Sequence, residues 1–491
     1  MLLPEEFIQR VLRDFGASEG RALCEALDTP SPVAVRLHPD KTGLSVRTDA
    51  TVGTETPVAA GIPTPDAFCG AVATLPDLTF DRSVPWSPWG WYLAQRPSFT
   101  LDTDFHAGAY YVQEPSSQFV GHLLRNVPTA GARILDLCAA PGGKTTLYAS
   151  LVGADGLVVA NEIDRRRAAV LADNVRKWGM GNTIVTVGEP RPLGDCKAFF
   201  DVVAVDAPCS GEGMFRKDID SRAEWSENNV HQCARRQDEI LREAWRALRV
   251  GGTLIYSTCT FNREEDEGSL ERMLAWAGDE VVSSNEVAIG EDWGIVCGEV
   301  GPFRTYRFYP HRACGEGFFA AVARKAERMD NASRSRLPKS QSKLRRSVVA
   351  PVDRAAGVEA ARWVTEPDRM EFVSIADTVY GWYGAQAEAV RMLSERLPVI
   401  YSGVAMGQLF KGRLKPDPAL AFFTGLNRAA LPVAELDAEQ ALRYLRRQDV
   451  AADAFAEGMN LVCARGRALG FAKRIGIRVN NLYPNSLRIL N

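Results

Sequence analysis

The stretch Ile134-Leu-Asp-Leu-Cys-Ala-Ala-Pro-Gly-Gly-Lys-Thr-Thr146 decides the fold class. A short apolar run leads into a Pro-Gly-Gly turn, and a helical pattern begins directly behind the turn. Glycines at such a turn let the backbone take positive φ and come close to a ligand. Because ligands of open α/β sheets bind at the carboxyl ends of the strands, the stretch predicts a strand, a cofactor loop and a helix.

The loop matches neither of the two common nucleotide motifs. It lacks the GxxxxGK[ST] of phosphate-binding loops and the GxGxxG of dinucleotide folds. ATP and dinucleotides are therefore poorer fits than another nucleotide-like cofactor. The alternative is a structural turn without any ligand.

The region around this loop alternates short apolar runs with helical patterns. Five runs are typical of strands, namely 134–137, 158–160, 184–187, 202–205 and 253–256. One helix is predicted over the spacing of Ala168, Leu171, Val175 and Trp178, and another before the last strand, ended by Gly251-Gly252. This alternation predicts an α/β domain with a parallel sheet that helices cover on both faces.

Acidic residues follow the second and third predicted strands. Glu162 stands about 20 residues beyond the Gly-rich turn, where a carboxylate accepts both ribose hydroxyls in dinucleotide folds. Asp164 is placed to cap the next helix. Glu189 either contacts an adenine amino group or is an ordinary turn acid. We expect Glu162 to bind the ribose of the cofactor.

The fourth and fifth predicted strands each deliver a cysteine. Asp206 and Cys209 follow one strand in Asp206-Ala-Pro-Cys-Ser-Gly-Glu-Gly213, and Cys259 follows the other in Ser257-Thr-Cys-Thr-Phe-Asn262. A lone cysteine is ordinarily a core residue. If the sheet is doubly wound, however, both thiols and Asp206 border one cleft beside the cofactor loop.

Two thiols and an acid suit methyl transfer to carbon 5 of cytosine. That carbon is too weakly nucleophilic to attack a methyl sulfonium, and addition of a thiolate at carbon 6 makes it enamine-like. Asp206 can assist at ring nitrogen 3, and the second thiol can assist release of the first. The residues alone do not rank Cys209 and Cys259, because either thiol could be the nucleophile.

The composition is that of an intracellular globular protein. Of 491 residues, 46% are hydrophobic and 24% are charged, and the net charge is -3. The ten cysteines form no CxxC pair and no Cys/His cluster, so we expect no metal and a reducing compartment. Neither a signal peptide nor an apolar stretch of roughly 20 residues is found, which predicts a cytoplasmic protein without membrane association.

Pattern changes along the chain predict four regions: 1–105, 106–323, 324–350 and 351–491. The third is a basic linker, interpreted either as a solvated hinge or as a strap for phosphates. Its basic residues are Arg324, Lys325, Arg328, Arg334, Arg336, Lys339, Lys343, Arg345 and Arg346.

The end of the fourth region is basic and contains no acid. Over 463–491 it interleaves Phe471 and Tyr483 with Arg465, Arg467, Lys473, Arg474, Arg478 and Arg488. This pattern favours RNA, through phosphate attraction and base stacking, over an ordinary surface.

These motifs together resemble the Sun/Nop family of RNA cytosine-5 methyltransferases, in its bacterial branch that acts on small-subunit ribosomal RNA. The similar stretches are 106–117, 138–144, 161–162, 206–218 and 257–262. A weaker likeness over 470–484 is to the PUA-like RNA-binding module of that branch. The first region is similar to the family's variable N-terminal extension.

The resemblance implies a Rossmann-like domain that binds S-adenosylmethionine, with RNA, as small-subunit ribosomal RNA or the 30S particle, as partner. It implies that Cys259 is the nucleophile and that Cys209 assists release. Cofactor contacts would fall on Cys138, Ala139, Ala140, Pro141, Gly142, Gly143, Lys144, Glu162, Glu189 and Asp206. The family usually has Asp where this chain has Glu189, which puts that contact in doubt.

Other functions stay open at this point. One is cytosine-5 methylation of transfer RNA. Another is a ribosome-assembly or RNA-binding factor that has lost catalysis, which the intact pair Cys209 and Cys259 argues against. A third is a small-molecule or DNA methyltransferase, which the additional regions on both sides of the central domain disfavour.

Overall fold

A computed structural model describes residues 2–44, 74–326 and 349–490. The N-terminal part begins with a helix whose Phe7 and Val11 are buried. A four-stranded antiparallel sheet follows, in the order β2-β3-β1-β4. The elements of this part are α1 (Glu5–Phe15), α2 (Ala17–Ala26), β1 (Ala34–Leu37), β2 (Phe80–Ser83), β3 (Gly90–Leu93), α3 (Thr103–His106), β4 (Tyr110–Val112) and α4 (Phe119–Leu123).

The centre of the molecule is a parallel sheet in the order β9-β8-β5-β6-β7, with all five predicted strands in place. Apolar side chains pack on both of its faces, as predicted for a doubly covered sheet. Its strands are β5 (Arg133–Asp136), β6 (Leu157–Glu162), β7 (Thr183–Val187), β8 (Phe200–Asp206) and β9 (Leu248–Thr258). Its helices are α5 (Gly143–Val152), α6 (Arg165–Trp178), α7 (Arg191–Gly194), α8 (Ser221–Glu224), α9 (Glu227–Ala247) and α10 (Glu267–Ala277).

Antiparallel strands, which the sequence patterns did not predict, extend this sheet on both sides. On one side β13 pairs with β9, β12 pairs with β13, and β11 pairs with β12. The short strand β10 pairs with the end of β13. On the other side a strand from the C-terminal part pairs with β7. The added strands are β10 (Val281–Ser283), β11 (Val296–Val300), β12 (Phe303–Phe308), β13 (Phe318–Lys325) and, from the C-terminal part, β17 (Val399–Ser402).

The predicted end of α9 at Gly251-Gly252 is wrong. The helix ends at Ala247, and both glycines lie inside β9. Leu248 already pairs with Phe200 of β8, and the register shifts before Thr253 pairs with Val202. Gly251 takes a φ of 75°, so the glycines serve an irregularity of the strand and not the helix end.

Arg324 and Lys325, predicted as the start of the linker, close strand β13 of the central sheet. The other predicted linker cations lie outside the described residues; they are Arg328, Arg334, Arg336, Lys339, Lys343, Arg345 and Arg346.

The C-terminal part contains two further sheets, in the orders β14-β15-β16-β18-β19 and β20-β21-β22-β23. The strands are β14 (Val349–Pro351), β15 (Met370–Ile375), β16 (Thr378–Tyr383), β18 (Val404–Phe410), β19 (Arg413–Pro416), β20 (Val433–Leu436), β21 (Gly458–Ala464), β22 (Arg467–Ile475) and β23 (Arg478–Asn481). The helices are α11 (Arg354–Ala361), α12 (Ala387–Arg396), α13 (Pro418–Phe422) and α14 (Ala438–Leu445). No helix in the described part of the chain is long and apolar enough to cross a membrane.

The predicted use of the tail aromatics for base stacking is wrong. Phe471 and Tyr483 are each 1% exposed and belong to the core of the C-terminal sheets. Arg474 donates to the carbonyl groups of Phe455 and Ala452. Within β22 the consecutive residues 469–472 are buried, and the basic residues stand at both ends of this buried run. Among the named tail cations, Lys473, Arg478 and Arg488 are exposed and remain candidates for contacts with phosphates.

Two tail arginines join the last sheet to the N-terminal part. Asp104, 1% exposed, accepts hydrogen bonds from Arg467 at 2.8 Å and from Arg465 at 3.0 Å. Arg465 also pairs with Asp77 at 2.7 Å. The last sheet and the N-terminal part are therefore joined by one buried carboxylate, Asp104, which binds two guanidinium groups.

Removing this carboxylate by Asp104→Ala should destabilise the protein by about 3–5 kcal/mol, because the largely buried Arg467 guanidinium loses its counterion, whereas Arg465 keeps Asp77. Urea unfolding followed by tryptophan fluorescence measures the change. Asp81→Ala is the matched control, since Asp81 is 45% exposed in its pair with Arg82 and should contribute less than about 1 kcal/mol. Equal losses in the two variants would contradict the buried-pair interpretation.

Candidate active site

The Gly-rich loop joins β5 to α5 and forms one wall of a cavity of about 160 Å³. Gly142 takes a φ of 111° at the start of the helix, a conformation that glycine adopts without strain. Of the predicted cofactor contacts, the cavity is lined by Cys138, Ala139, Ala140, Pro141, Gly143, Lys144 and Asp206. The predicted loop therefore does face an open space at the carboxyl end of the sheet.

Glu162 lies beside this loop at the end of β6 and is 2% exposed. The backbone carbonyl of its neighbour Asn161 accepts a hydrogen bond from the Ala139 backbone at 2.8 Å, which ties the strand end to the loop. One Glu162 oxygen accepts from the Asp164 backbone at 3.0 Å, and Arg167 is 3.5 Å from the other. Asp164 itself caps α6, as predicted.

Glu189 is exposed, and it is not among the described residues that line the cavity. The preceding Gly188 donates its backbone N–H to the Glu162 carbonyl at 3.1 Å. The loop after β7 therefore runs next to the Glu162 strand end, with the Glu189 side chain directed into solvent.

The residues around the cavity fit S-adenosylmethionine. Asp136 is buried at the end of β5 and lines the cavity, and its Oδ1 has no hydrogen-bond partner among the described residues. Burial raises the pKa of Asp136 to about 7, despite the hydrogen bond that Thr145 donates to its Oδ2. Carboxylates match the ammonium and hydroxyl groups of that cofactor; Asp136 lines the cavity, whereas Glu162 lies beside the loop and outside the described lining of the cavity.

Cys209 and Cys259 meet at the adjacent strand ends. Their sulfur atoms are 3.3 Å apart, and the backbone N–H of Cys259 donates to the Cys209 sulfur at 3.4 Å. The contact with Cys259, followed by burial, raises the pKa of the Cys209 thiol well above its ordinary value. The structure thus brings together the two thiols that the sequence could only assign to neighbouring strands.

Lys144 and Asp206 connect the thiols to the cofactor cavity. The Lys144 ammonium is 2.9 Å from Asp206 Oδ2, and Ser257 donates to Oδ1 at 2.8 Å. Burial by itself would lower the pKa of Lys144, but the charges of Asp206, Asp136 and Cys259 raise it above its ordinary value. Lys144, which lines the cavity, therefore places a cation within electrostatic reach of Cys259.

A buried carboxylate that the sequence analysis gave no role, Glu265, braces both cysteine loops. It accepts hydrogen bonds from the Ser210 backbone at 2.9 Å and the Ser210 hydroxyl, next to Cys209. It also accepts from Asn262 at 2.7 Å, three residues past Cys259, and from Gln237 of α9 at 2.9 Å. The acidic run 264–266 gave no signal for this role, because such runs are ordinarily solvated and only the fold shows that Glu265 is buried.

The substitution Glu265→Gln should make the free energy of unfolding less dependent on pH. Burial raises the pKa of Glu265 from its ordinary 4.5 to about 7, outweighing the hydrogen bonds from Ser210 and Asn262. The folded state therefore binds the Glu265 proton more tightly than the unfolded state does. The resulting stabilisation of the folded state is present below pH 4.5 and is lost as the pH rises through about 7. Asp136 has a similarly raised pKa, so the flattening will be partial.

Thermal unfolding midpoints across this pH window measure the effect, whose slope is at most about 1.4 kcal/mol per pH unit for one group. Glu271→Gln serves as the control, because Glu271 is 55% exposed. A pH profile for Glu265→Gln that is as steep as that of the unchanged protein would contradict the assignment.

The cavity has a second wall that the sequence motifs pointed to without assigning roles. This wall comes from the stretch 106–117 and from the loop after Cys209, and its residues are Tyr111, Val112, Gln113, Glu114, Ser117 and Lys217. Gln113 is held by Arg36 at 2.8 Å, a contact 77 residues distant in sequence that no local pattern reveals.

The fold and this site define an S-adenosylmethionine-dependent methyltransferase of the Rossmann-like class. Residues 124–324 match the family model described as 16S rRNA methyltransferase RsmB/F. Residues 432–489 match the RsmF PUA domain, and 70–115 match the N-terminal domain of 16S rRNA methyltransferase RsmF.

Curated relatives extend the match over most of the chain. Ribosomal RNA small subunit methyltransferase F of Cronobacter sakazakii is 32% identical over 419 residues, which cover 82% of this chain and 84% of the relative. The protein of the same name from Erwinia tasmaniensis is 30% identical over 423 residues, with the same coverage. The chain therefore belongs to this family of S-adenosylmethionine-dependent RNA methyltransferases, and its last sheet is a PUA domain.

Solved structures agree with the fold. A methyltransferase homologue from Pyrococcus horikoshii is 26% identical, with a TM-score of 0.50, and the match covers 66% of this chain and 95% of that one. NSun6 from Pyrococcus horikoshii, at 21% identity and a TM-score of 0.52, covers 66% of this chain and 99% of its own, and shares the fold.

Proposed function

We propose that this enzyme methylates carbon 5 of a cytosine in small-subunit ribosomal RNA through a covalent adduct with Cys259. One observation carries the proposal: two sulfur atoms 3.3 Å apart stand next to an Asp206–Lys144 ion pair at the rim of the cofactor cavity. A methyltransferase that acts on oxygen or on exocyclic nitrogen needs no nucleophilic thiol, whereas one that acts on a weakly nucleophilic ring carbon does.

Cys259 acts first in this mechanism. Its thiolate adds to carbon 6, and the electron pair displaced toward ring nitrogen 3 makes carbon 5 nucleophilic. The polar groups of Lys144 and Asp206 stand where they can hold nitrogen 3 and supply the proton it needs. When bound, S-adenosylmethionine supplies the electrophilic methyl group, held by the 138–144 loop, Asp136 and Glu162.

Cys209 acts after methyl transfer. In the free enzyme the contact with Cys259 is the largest cause of its raised pKa, followed by burial. After the Cys259 sulfur has bonded to carbon 6, the Cys209 thiol gives its proton to water. The Cys209 sulfur then accepts the proton from carbon 5 while the bond from carbon 6 to Cys259 breaks.

Delivery of the base requires an unstacked cytosine, because neither sulfur can reach carbon 6 inside a duplex. An open loop of ribosomal RNA or an immature 30S particle meets this requirement most easily. The PUA domain and its exposed cations Lys473 and Arg478 suit a contact with phosphates away from the active site. We further propose that the enzyme works in the cytoplasm, where such particles assemble.

Mapping of 5-methylcytidine tests the proposal. RNA from cells with and without this gene is treated with bisulfite and sequenced, and a position in 16S ribosomal RNA should lose its protection when the gene is removed. Loss confined to transfer RNA would reassign the substrate. No change in any RNA, together with no 5-methylcytidine formed in vitro on 30S particles, would favour the non-catalytic alternative.

A further inference from the structure

The two active-site sulfurs are close enough to form a bond with each other. A disulfide needs a sulfur separation of about 2.05 Å, so the observed 3.3 Å has to shorten by only about 1.2 Å. The Cys259 backbone N–H already points at the Cys209 sulfur, which places that sulfur against the Cys259 main chain. We propose that hydrogen peroxide converts Cys209 and Cys259 into a reversible disulfide, which makes the catalytic pair an oxidation-sensitive modification site.

The reaction balances with peroxide as the only oxidant. The Cys259 thiolate attacks one peroxide oxygen, an S–O bond forms, the O–O bond breaks, and the leaving hydroxide takes up a proton as water. The Cys209 sulfur then attacks the sulfenic sulfur, the S–S bond forms, and the leaving hydroxide takes the Cys209 proton as a second water. Both sulfurs are oxidised by one electron each, and one peroxide is reduced.

The surroundings favour reaction at this pair. Both cysteine residues are half-buried and not fully enclosed by the fold, which leaves peroxide a path to them. The Lys144 ammonium lies near enough to Cys259 for their charges to interact. Each cysteine lies at or beyond the end of its strand, where the backbone can adjust without breaking a ladder.

Four other described cysteines lack one of these conditions. Cys196, Cys233 and Cys463 are buried, and burial raises the pKa of each of their thiols, Cys233 and Cys463 to about 11. Cys297 is exposed on β11, and burial raises the pKa of its thiol too. It is therefore a suitable control for oxidation that does not involve the catalytic pair.

The consequence for activity rests on the proposed function. If Cys259 is the nucleophile, its sulfur is no longer available in the disulfide, and methyl transfer falls in proportion to the cross-linked fraction. A reducing dithiol should restore both the thiols and the activity, because the sulfurs are only at the first, reversible step of oxidation.

The full-length reduced enzyme is exposed to hydrogen peroxide, its remaining thiols are alkylated, and it is digested with trypsin for mass spectrometry. Cys209 and Cys259 lie in separate tryptic peptides, 198–216 and 250–263, each with a single cysteine. We expect these two peptides joined, with the loss of two hydrogen atoms, and released by dithiothreitol. Cys297→Ser should leave the cross-link unchanged, and Cys209→Ser should abolish it and leave a sulfenic acid on Cys259 that dimedone traps.

Full alkylation of both peptides after peroxide treatment, or cross-links of Cys259 to Cys138 instead, would overturn the proposal. The failure of the proposed function gives a different result. In that case the joined peptides form, yet the cross-linked enzyme still methylates RNA at the rate of the reduced enzyme.

Discussion

Cys259→Ala will reduce methyl transfer to RNA to background, a loss of about 10³-fold or more, because it removes the sulfur that we propose forms the adduct at carbon 6. Binding of S-adenosylmethionine should remain within a few tenths of a kcal/mol, since the Cys259 sulfur contacts Cys209 and does not line the described cofactor cavity. The loss is therefore expected in turnover and not in cofactor affinity.

Transfer of tritiated methyl groups to 30S particles measures turnover, and calorimetric titration measures cofactor binding. Cys297→Ala is the matched control, since it removes an exposed cysteine on β11, far along the chain from the catalytic loops. Retained turnover in Cys259→Ala would disprove the nucleophile assignment. Lost turnover together with lost cofactor binding would point to a disrupted site.

Cys209→Ser should accumulate a covalent complex between the enzyme and RNA. The Cys259 sulfur can still add to carbon 6 in this variant, and methyl transfer can follow. A serine hydroxyl is a far weaker acid than a thiol, so it does not become the base that removes the carbon 5 proton. The adduct therefore forms and is not resolved, and turnover stops after one round.

The adduct should appear as a band of reduced mobility that survives denaturation in the presence of cofactor and RNA. The double variant Cys209→Ser with Cys259→Ala is the control, because it lacks the sulfur that forms the bond. Multiple turnover by Cys209→Ser without any such band would assign release to another group. The candidate would then be Asp206, which accepts from Ser257 at 2.8 Å in the same cleft.

The centre of the fold was predictable from sequence because its signals are local. Each parallel strand is a buried apolar run, and each covering helix repeats its apolar residues at spacings of three and four. The cofactor loop was predictable for the same reason, since a turn directly after a buried strand needs no distant partner. The antiparallel strands at both edges, such as β12 and β17, were missed because only their pairing with other strands identifies them.

The basic tail shows where local composition misleads. Phe471 and Tyr483 fill the core of the C-terminal sheets, and Arg465 and Arg467 are bound by Asp104 from another part of the chain. A sequence window shows that cationic and aromatic residues lie close together, but it does not show which stretch of β22 the fold buries. The sequence also does not show that Arg467 already pairs with Asp104, a carboxylate 363 residues away.

The sequence by itself determined the class of enzyme, because the loop 138–144, the acid Glu162 and the two cysteine motifs each follow a recognisable strand. Only the tertiary structure decided that the Cys209 and Cys259 sulfurs, 50 residues apart in the chain, are in contact and braced by Glu265. The physical reason is that strand order sets which loops become neighbours. Hydrogen bonds between those loops then set distances that no single segment encodes.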